Sequence, residues 1–255
     1  MPIIATVNVN GIRAAWRRGM PGWLESAGVD VLCLQEVRAS TAVLTEHLGP
    51  QWTVVHAEAD AAGRAGVAIA ARGALSDVRT GLPGTESGRW IEATVGGVRV
   101  VSCYVNKGEA GTEKQQRKYE FLDAMGERMR VLPKESGPVV VTGDFNICHT
   151  ERDLKNWKGN LTHSGFLPEE RAFLDRVTDE QGWVDVGRGL AGDVAGPYTW
   201  WSWRGKAFDN DAGWRIDYQL ATAELAERAR AARVDRAPSY AQRWSDHAPV
   251  VVEYG

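Results

Sequence analysis

Short apolar runs separated by turn-forming residues are the main pattern along this chain. The runs are rich in β-branched residues and are bounded by Gly, Pro, Asn or Asp, which is typical of β-strands. They cover residues 3–9, 29–34, 52–55, 66–71, 91–95, 98–105, 138–142, 216–221 and 248–252. Gly96 and Gly97 separate two of these runs, and this pair predicts a tight hairpin.

Segments with helical periodicity lie between the runs. They predict helices over residues 16–27, 41–48, 112–129, 168–180 and 222–231. Pro168 followed by Glu169 and Glu170 is typical of a helix start, because proline fits the first turn and acids suit the positive end of the helix dipole. Hairpins mixed with helices favour an α/β sandwich over a plain parallel βαβ sheet.

The domain organisation follows from what the sequence lacks. We find no linker rich in Pro, Gly or Ser, no low-complexity segment and no repeat of fixed period, so we predict a single domain over residues 1–255. Residues 145–170 are polar and rich in glycine, and we predict a long loop there. Loops of that length in compact domains are usually functional.

Composition narrows the possible functions. The chain has 255 residues, 44% of them apolar, and a formal net charge of −3, which argues against coating nucleic acid by bulk charge and leaves room for a local basic rim. Cys33, Cys103 and Cys148 suggest small buried hydrophobes in a reducing compartment rather than a disulfide framework or a zinc site. The start of the chain does not resemble a signal peptide, and no apolar run approaches roughly 18 residues, so we predict a cytoplasmic protein without a membrane span.

Polar side chains stand at the ends of several predicted strands. They are Asn8, Asn10, Glu36, Asp144, Asn146, Asp217, Asp246 and His247. Each alone has a structural alternative. Glu36 could pair with Arg38 at the surface, Asp217 could be a buried partner of Arg215, and the others could be turn or cap residues.

Together these side chains indicate a metal-assisted reaction. An oxygen-rich set of Glu, Asp and Asn is what a hard cation such as Mg²⁺ prefers. The sequence has none of the CxxC, HxH or HExxH patterns of zinc sites, no phosphate-binding GxxxxGK[ST], no GxGxxG and no GxSxG. Metal-assisted hydrolysis, most naturally at phosphorus, remains.

The chain resembles the exonuclease III family of apurinic/apyrimidinic (AP) endonucleases, within the endonuclease/exonuclease/phosphatase superfamily. The resemblance implies a four-layer α/β sandwich, in which two mixed β-sheets pack face to face and are flanked by helices. It rests on an ordered set of segments: NVNGIRAA (8–15), LCLQEVR (32–38), GRAGVAIAAR (63–72), SCYVNKGE (102–109), GDFNICHTERDLKN (143–156), GFLPEER (165–171), GWRIDYQLAT (213–222) and SDHAPV (245–250).

The resemblance also implies roles for the residues at the strand ends. Glu36 would be the main Mg²⁺ ligand, with Mn²⁺ as a substitute, helped by Asn8 or Asn10 and by Asp246. Some relatives carry Asp where this chain has Asn10, and an amide adds no charge to the site. The implied metal set further includes Asp144, Asn146 and His247.

The implied chemistry is an in-line displacement at the phosphate. Asp144 would orient or deprotonate the attacking water, and Asn146 would hold that water or the developing oxyanion. His247, oriented by Asp217, would contact the scissile phosphate. Tyr104 would contact the same phosphate as a phenol donor or as a phenolate.

Substrate contacts are implied elsewhere in the chain. Trp200 and Trp214 would wall a pocket for an extrahelical baseless deoxyribose, which a normal base would be too large to enter. Neighbouring Trp201 and Trp203 could be core packing. Further predicted contacts are Lys118, for which a solvated helix lysine is the alternative, and Asn156, Lys158, Arg13 and Arg204, with Arg17, Arg18, Arg64 and Lys107 completing a basic rim.

The predicted function is therefore an Mg²⁺-dependent DNA repair nuclease acting as a monomer. It would cut double-stranded DNA 5′ to abasic sites and process 3′ ends as a 3′→5′ exonuclease or 3′-phosphodiesterase. Two alternatives stay open at this point. The same fold could hydrolyse phosphoinositides, sphingomyelin or RNA tails, or the chain could bind damaged DNA without cutting it.

Overall fold

The computed structural model describes residues 2–61 and 63–255. The strands are, in chain order, β1 (Ile3–Asn8), β2 (Val31–Gln35), β3 (Thr53–Ala57), β4 (Val67–Ala71), β5 (Ser76–Thr80), β6 (Trp90–Val95), β7 (Val98–Tyr104), β8 (Val139–Asp144), β9 (Val184–Asp185), β10 (Asp217–Ala221), β11 (Ala229–Val234) and β12 (Val250–Tyr254). The helices are α1 (Ile12–Arg17), α2 (Met20–Ser26), α3 (Thr41–Leu48), α4 (Glu113–Ser136), α5 (Pro168–Asp175), α6 (Val186–Ala191) and α7 (Ala223–Ala226).

The strands form two six-stranded mixed sheets. The first has the order β11-β12-β1-β2-β4-β3, and the second has the order β5-β6-β7-β8-β10-β9. One central pair of each sheet is parallel, β1 with β2 and β7 with β8. The central strands are buried along their whole length, which explains their continuous apolar runs.

Three apolar layers separate four layers of backbone. Ile4, Cys33, Val100 and Val140 belong to the cluster between the two sheets. Because side chains alternate along a strand, neighbours such as Val7 face outward and pack with α1, α2 and α3. The second sheet is covered on its outer side by α4 and α5. The predicted four-layer sandwich is therefore confirmed.

Several predicted elements are confirmed at or near their bounds. The hairpin at Gly96-Gly97 joins β6 to β7, with Val95 opposite Val98. Helix α3 has the predicted bounds. Helix α4 extends further than predicted, to Ser136, and has 24 residues. The loop predicted over residues 145–170 is found over residues 145–167, and it contains short 3-10 turns at Glu151–Asp153 and Trp157–Asn160.

Two helix predictions need correction. The predicted helix 16–27 is interrupted at Gly19, whose φ of 115° separates α1 from α2. The predicted helix 222–231 shrinks to α7, because the following residues form β11 and pair with β12. Strands β5, β9 and β11 lie at sheet edges, and none of them contains a continuous apolar run that would have predicted it.

Other predictions about the chain as a whole concern cysteines and membranes. Cys33, Cys103 and Cys148 are all free and buried, as predicted. Within residues 2–61 and 63–255, no helix combines the length and the apolar character needed to cross a bilayer.

Candidate active site

Three neighbouring strands of the second sheet place acidic and phenolic groups side by side. In the parallel pair β7 and β8, Tyr104 is the register partner of Asp144. In the antiparallel pair β8 and β10, Asp144 is opposite Asp217. The three residues therefore lie in one row across the sheet, at the edge where β7 and β8 end.

The first sheet brings its own polar residues to the same edge. Asn8 ends β1, and Glu36 follows directly after β2. Asn8 Nδ2 donates to Glu36 Oε1 at 2.7 Å and to Asp144 Oδ2 at 2.9 Å. The amide of Asn8 therefore ties a carboxylate of one sheet to a carboxylate of the other.

A cleft of about 340 Å³ opens over this edge. Ten of the residues predicted from the sequence line it, namely Asn10, Glu36, Tyr104, Lys107, Asp144, Asn146, Trp200, Trp214, Asp246 and His247. They come from segments spread over the whole chain. The strand-end residues thus meet around one opening.

Unusual backbone conformations concentrate at this cleft. Asn10, Glu36, Arg38 and Asn146 have φ values of 47°, 49°, 52° and 51°, which place these non-glycine residues in the left-handed region. Such conformations cost free energy and persist where surrounding structure imposes them, commonly at functional sites. Backbone bonds from Gly11 N to Glu36 O at 2.8 Å and from Arg38 N to Ala65 O at 3.0 Å hold the turn after β2.

Gly143 brings β8 close to its neighbour in the sheet. Its φ is 141°, and a Cβ atom at this position would come within 1.9 Å of the carbonyl oxygen of Cys103. Any side chain would therefore push β8 away from β7. Glycine here preserves the register that places Tyr104 beside Asp144.

His247 is held between two carboxylates. Its Nδ1 lies 2.9 Å from Asp217 Oδ2, and its Nε2 lies 3.7 Å from Asp144 Oδ2. Burial alone would lower the pKa of the imidazole, but the charges of Asp217 and Asp144 outweigh burial and raise this pKa to about 10. The ring is thus an imidazolium at neutral pH, with Nδ1–H donating to Asp217.

The pKa of Asp144 lies above that of an exposed carboxylate. Burial raises its pKa to about 7, because desolvation and the nearby charge of Asp217 outweigh the attraction of His247 and the hydrogen bond from Asn8. A carboxyl group with this pKa exchanges protons near neutral pH, as a general base must. Asp144 Oδ1 also accepts the backbone N–H of Asn146 at 2.9 Å, which fixes the carboxylate plane.

Tyr104 is a neutral phenol. Burial and the charges of Glu36 and Asp144 raise its pKa well above the ordinary value of 10.0. The guanidinium of Arg89, which lies 5.0 Å from the centre of the ring, does not reverse the shift. Of the two predicted forms, the phenol donor agrees with this environment and the phenolate does not.

The donor atoms at the cleft suit a hard divalent cation. The available ligands are carboxylate and amide oxygens of Glu36, Asp246 and Asn10. Asn10 Nδ2 donates to Asp246 Oδ1 at 2.9 Å, so its amide oxygen is the atom that could bind a cation. Asp144, Asp217 and His247 also offer atoms within 4.8 Å of one another, among the described residues.

Two of the predicted metal ligands have other roles in this structure. Both polar atoms of the Asn8 amide have partners, because its Oδ1 accepts the backbone N–H of Asn10 at 2.9 Å and its nitrogen faces the two carboxylates. The ring of His247 likewise has Nδ1 bonded to Asp217, and its Nε2 lies 3.7 Å from Asp144 Oδ2. The oxygen donors around Glu36 remain the candidates for the metal.

The structural alternatives for two acids can now be judged. Arg38 does form an ion pair with Glu36, but this glutamate is 9% exposed and also bonds Asn8 inside the cleft. The proposed pair of Asp217 with Arg215 is wrong. Arg215 instead bonds Asp153 at 2.6 Å and Asp185 at 2.7 Å.

The tryptophans near residue 200 separate into two groups. Trp200 and Trp214 line the cleft, with ring centroids 6.0 Å apart at 89°. Trp200 Nε1 donates to Asp246 Oδ2 at 3.0 Å, which joins this wall to the candidate metal ligands. Trp201 is core packing, 2% exposed against Phe208, while Trp203 lies between Arg18 and Arg243.

Lys118, which the resemblance implied to be a substrate contact, is buried, and it is therefore not a solvated helix lysine. Its side chain is completely buried, and Nζ bonds Glu170 Oε1 at 2.6 Å and the carbonyl oxygen of Asn146 at 2.8 Å. Glu170 was not predicted from the sequence as a site residue. Its only signal was the motif GFLPEER, where two acids at a helix start had an ordinary explanation.

All but one of the remaining predicted contacts lie on the surface outside the cleft. Arg13, Asn156, Lys158 and Arg204 are exposed, as are Arg17, Arg18 and Arg64. Lys107 is exposed and lines the cleft itself. The geometry therefore separates an acidic centre from scattered surrounding cations.

Comparisons with known proteins agree with this geometry. Residues 5–247 match the model of the Endonuclease/Exonuclease/phosphatase family. An exodeoxyribonuclease of Bacillus subtilis is 32% identical over 95% of this chain and 95% of its own. The 3′ phosphatase NExo from Neisseria has a TM-score of 0.90 and 30% identity, with both chains fully covered.

An AP endonuclease from Archaeoglobus fulgidus is also similar in structure. Its TM-score is 0.85 at 31% identity, and the match covers 100% of this chain and 99% of that one. Sequence and structure thus point to the same group of enzymes. The chain belongs to the Endonuclease/Exonuclease/phosphatase family and, within it, to the exodeoxyribonucleases and AP endonucleases, which are DNA repair nucleases.

Proposed function

We propose that this protein is an Mg²⁺-dependent nuclease that hydrolyses the phosphodiester bond 5′ to abasic sites in double-stranded DNA, with Mn²⁺ as a substitute cation. The observation that carries the proposal is a single cleft lined by Asp144 and His247, whose ring Asp217 holds, by the oxygen donors around Glu36 and by the wall of Trp200 and Trp214. Base excision repair is the process that such an activity would serve.

The side chains supply the parts of an in-line displacement. Asp144, with its pKa near neutrality, accepts a proton from the attacking water. The imidazolium of His247 and the phenol of Tyr104 donate to the non-bridging phosphate oxygens, on which charge develops. Asn146, anchored by Nδ2 to Val105 O at 3.0 Å, holds the water beside Asp144.

Glu36, Asp246 and Asn10 would hold the cation. When bound there, it would neutralise charge on the leaving oxygen. The contact of Asp246 with Trp200 fixes the geometry of that ligand, because one carboxylate oxygen accepts from the indole and the other from Asn10.

Selectivity for an abasic site follows from the shape of the cleft. The rings of Trp200 and Trp214 stand edge to face and close one side of it. A deoxyribose without a base fits beside such a wall, whereas a nucleotide with its base needs more room. The exposed cations Arg13, Lys107, Lys158 and Arg204, with Asn156, would contact the DNA backbone around the opening.

The direct test is cleavage of a duplex that contains one tetrahydrofuran abasic analogue. We expect a nick on its 5′ side with Mg²⁺ and no nick with EDTA. Asp144→Asn should bind the same duplex while cleavage falls by several orders of magnitude, which a binding protein without activity would not show. No nicking by excess parent protein would refute the proposal, and hydrolysis of a soluble inositol phosphate instead would point to another substrate class.

The metal assignment has its own test. Glu36→Gln should raise the Mg²⁺ concentration that gives half-maximal cleavage, since one anionic ligand becomes neutral, and high Mg²⁺ should restore part of the rate. Asp144→Asn should not respond to added Mg²⁺ in this way. An unchanged Mg²⁺ dependence in Glu36→Gln would remove Glu36 from the ligand set.

A second activity, processing of 3′ ends, is favoured by the similarity to NExo. The structure of that protein from Neisseria is described as a 3′ phosphatase bound to a product DNA hairpin, and a second structure of it as a 3′-5′ exonuclease. We expect this chain to remove 3′-blocking groups with the same catalytic residues. Abasic, nicked and 3′-blocked duplexes, compared side by side in Mg²⁺ and Mn²⁺, give the ratio of the two activities.

We also propose that residues 1–255 act as one catalytic domain and as a monomer. Support comes from the site, to which residues as distant as Asn8 and Asp246 contribute. A single cooperative unfolding transition and a molar mass near 27.9 kDa in light scattering would agree with this proposal.

A further inference from the structure

The motif GFLPEER contains a buried acid that the proposed chemistry does not use. Glu170 lies in the first turn of α5, and its side chain is completely buried. Its carboxylate accepts five hydrogen bonds, at Oε1 from Gln115 Nε2 (2.9 Å), Lys118 Nζ (2.6 Å) and Ser164 Oγ (3.0 Å), and at Oε2 from the backbone N–H of Gly165 (2.6 Å) and Leu167 (3.0 Å).

This arrangement exceeds what a helix start requires. In a capping box, the acid at the third helical position needs to accept only the backbone N–H of the N-cap residue, which here is Leu167. Here the carboxylate also binds a fully buried ammonium group, and burying both charges carries a large desolvation penalty. Two apolar residues would fill the same space without that penalty. Stability alone therefore does not explain the buried ion pair of Lys118 and Glu170.

The reason is visible on the other side of Lys118. Its Nζ also donates to the carbonyl oxygen of Asn146 at 2.8 Å. Asn146 has left-handed backbone, and its own N–H holds the carboxylate of Asp144. Lys118 therefore connects Glu170 to the turn that orients the proposed general base.

Glu170 also fixes the segment 164–167, which lines the cleft beside Trp214. Gly165, which it binds through the backbone N–H, accepts from Cys148 N at 2.7 Å and lies against Trp214. A Cβ atom on Gly165 would come within 2.8 Å of the Trp214 ring. The segment 164–167 thus sets where this indole can sit.

Gly108, in a third segment of the cleft lining, packs against two side chains that bond Glu170. A Cβ atom on Gly108 would come within 2.2 Å of Gln115 Oε1 and 2.4 Å of Ser164 Oγ, and both of these side chains bond Glu170. Gly108, Asn146 and Gly165 all line the cleft. One buried carboxylate is therefore common to three segments of its lining.

We propose that Glu170, through its ion pair with Lys118, is a positioning residue for phosphodiester hydrolysis. It fixes the backbone turn at Asn146 and the segment 164–167 relative to each other. The proposal rests on the proposed nuclease function. Glu170 has no exposed surface, so it acts through Asn146 and Gly165 without touching the DNA.

Three variants test this role. Glu170→Gln keeps the size of the side chain but removes its charge and one acceptor oxygen. Glu169→Gln is the matched control, since it makes the same change one residue earlier on an exposed side chain. The double variant Lys118→Met/Glu170→Gln removes both buried charges, so it restores charge balance without restoring the hydrogen bonds.

The measurements separate positioning from stability. For folded Glu170→Gln we expect a single-turnover cleavage rate lower by about a hundred-fold, the effect of a small misplacement of reacting groups, with DNA affinity nearly unchanged. The double variant should regain thermal stability without regaining this rate. Amide hydrogen exchange, which needs no activity, should become faster over residues 145–149 and 163–168 in both variants and not in Glu169→Gln.

The proposal is overturned if the double variant cleaves at the parental rate, or if exchange in these two segments is unchanged. If Glu170→Gln alone does not fold, the double variant decides the question by the same two measurements. Failure of the nuclease function itself is distinguishable, because the parent would then cleave neither abasic nor 3′-blocked duplexes while the exchange result still reports on the hydrogen bonds.

Discussion

The imidazole of His247 is fixed by Asp217, with Nδ1 2.9 Å from Oδ2 and 3.1 Å from Oδ1. Asp217 begins β10 opposite Asp144, so one antiparallel register sets the position of the carboxylate that holds the ring and of the carboxylate that faces its other nitrogen. The sheet thereby determines both the orientation and the charge of His247.

Replacing Asp217 by asparagine should therefore slow cleavage without unfolding the protein. Loss of this charge lowers the pKa of His247 and weakens its donation to the phosphate, and we expect cleavage to slow by about a hundred- to a thousand-fold. Single-turnover nicking of an abasic duplex at pH 7.5 measures the effect. His149 and Asp175 form a similar pair at the surface, 2.7 Å apart, so Asp175→Asn is the control and should keep the parental rate.

The pH dependence of cleavage should show the ionisation of Asp144. The proposed general base works as a carboxylate, and burial raises its pKa to about 7. The cleavage rate should therefore fall as the pH drops below about 7 and level off at higher pH. A bound cation stabilises the carboxylate, so the acid limb should move to lower pH as Mg²⁺ increases. Initial rates between pH 5 and 8 at two Mg²⁺ concentrations test this, and a flat profile would exclude Asp144 as the base.

Much of this arrangement was predictable from the sequence, because strand ends are marked by polar residues after apolar runs. Asn8, Glu36, Asp144 and His247 were all identified in this way. What the pattern could not give is orientation. Whether Asn8 presents oxygen or nitrogen to the carboxylates depends on the backbone N–H of Asn10, which takes the oxygen.

Burial of polar side chains was equally hidden. Lys118 looks like a helix lysine because its partner Glu170 is 52 residues away in the chain. Strand β11 has the sequence ARAARV, whose composition favours a helix, and it is a strand because it pairs with β12 at a sheet edge. In both cases tertiary contacts, which local sequence does not encode, decide the outcome.

Acid should destabilise the protein through Asp153. Its pKa is lowered from 3.8 to about 2 because the charge of Arg215 and several hydrogen bonds outweigh the effect of burial. The unfolded chain takes up this proton first, so the contribution to stability, on the order of 2 kcal/mol, is complete above pH 3.8 and is lost as the pH falls towards about 2. Urea unfolding at pH 2 to 6 should show this loss.

The matching variant isolates the contribution of Asp153. Asp153→Asn leaves Arg215 buried without this partner, so it should be less stable than the parent at pH 6, and the difference should shrink at low pH. Asp193→Asn, which breaks the exposed pair with Arg152, should change little at any pH. A difference between parent and Asp153→Asn that does not depend on pH would contradict the assignment.

Selectivity should depend on the indole of Trp214. Its ring forms one wall of the cleft together with Trp200, so Trp214→Ala should admit nucleotides that carry a base. The ratio of abasic to undamaged cleavage should then fall by about ten-fold or more. Trp16→Ala is the control, because it removes another half-buried indole that is not part of the cleft lining. The ring of Trp16 stacks on that of His47, with centroids 5.3 Å apart, and its loss should leave the ratio unchanged. Rates on matched abasic and intact duplexes give the ratio directly, and an unaltered ratio in Trp214→Ala would mean that exclusion of the base arises elsewhere.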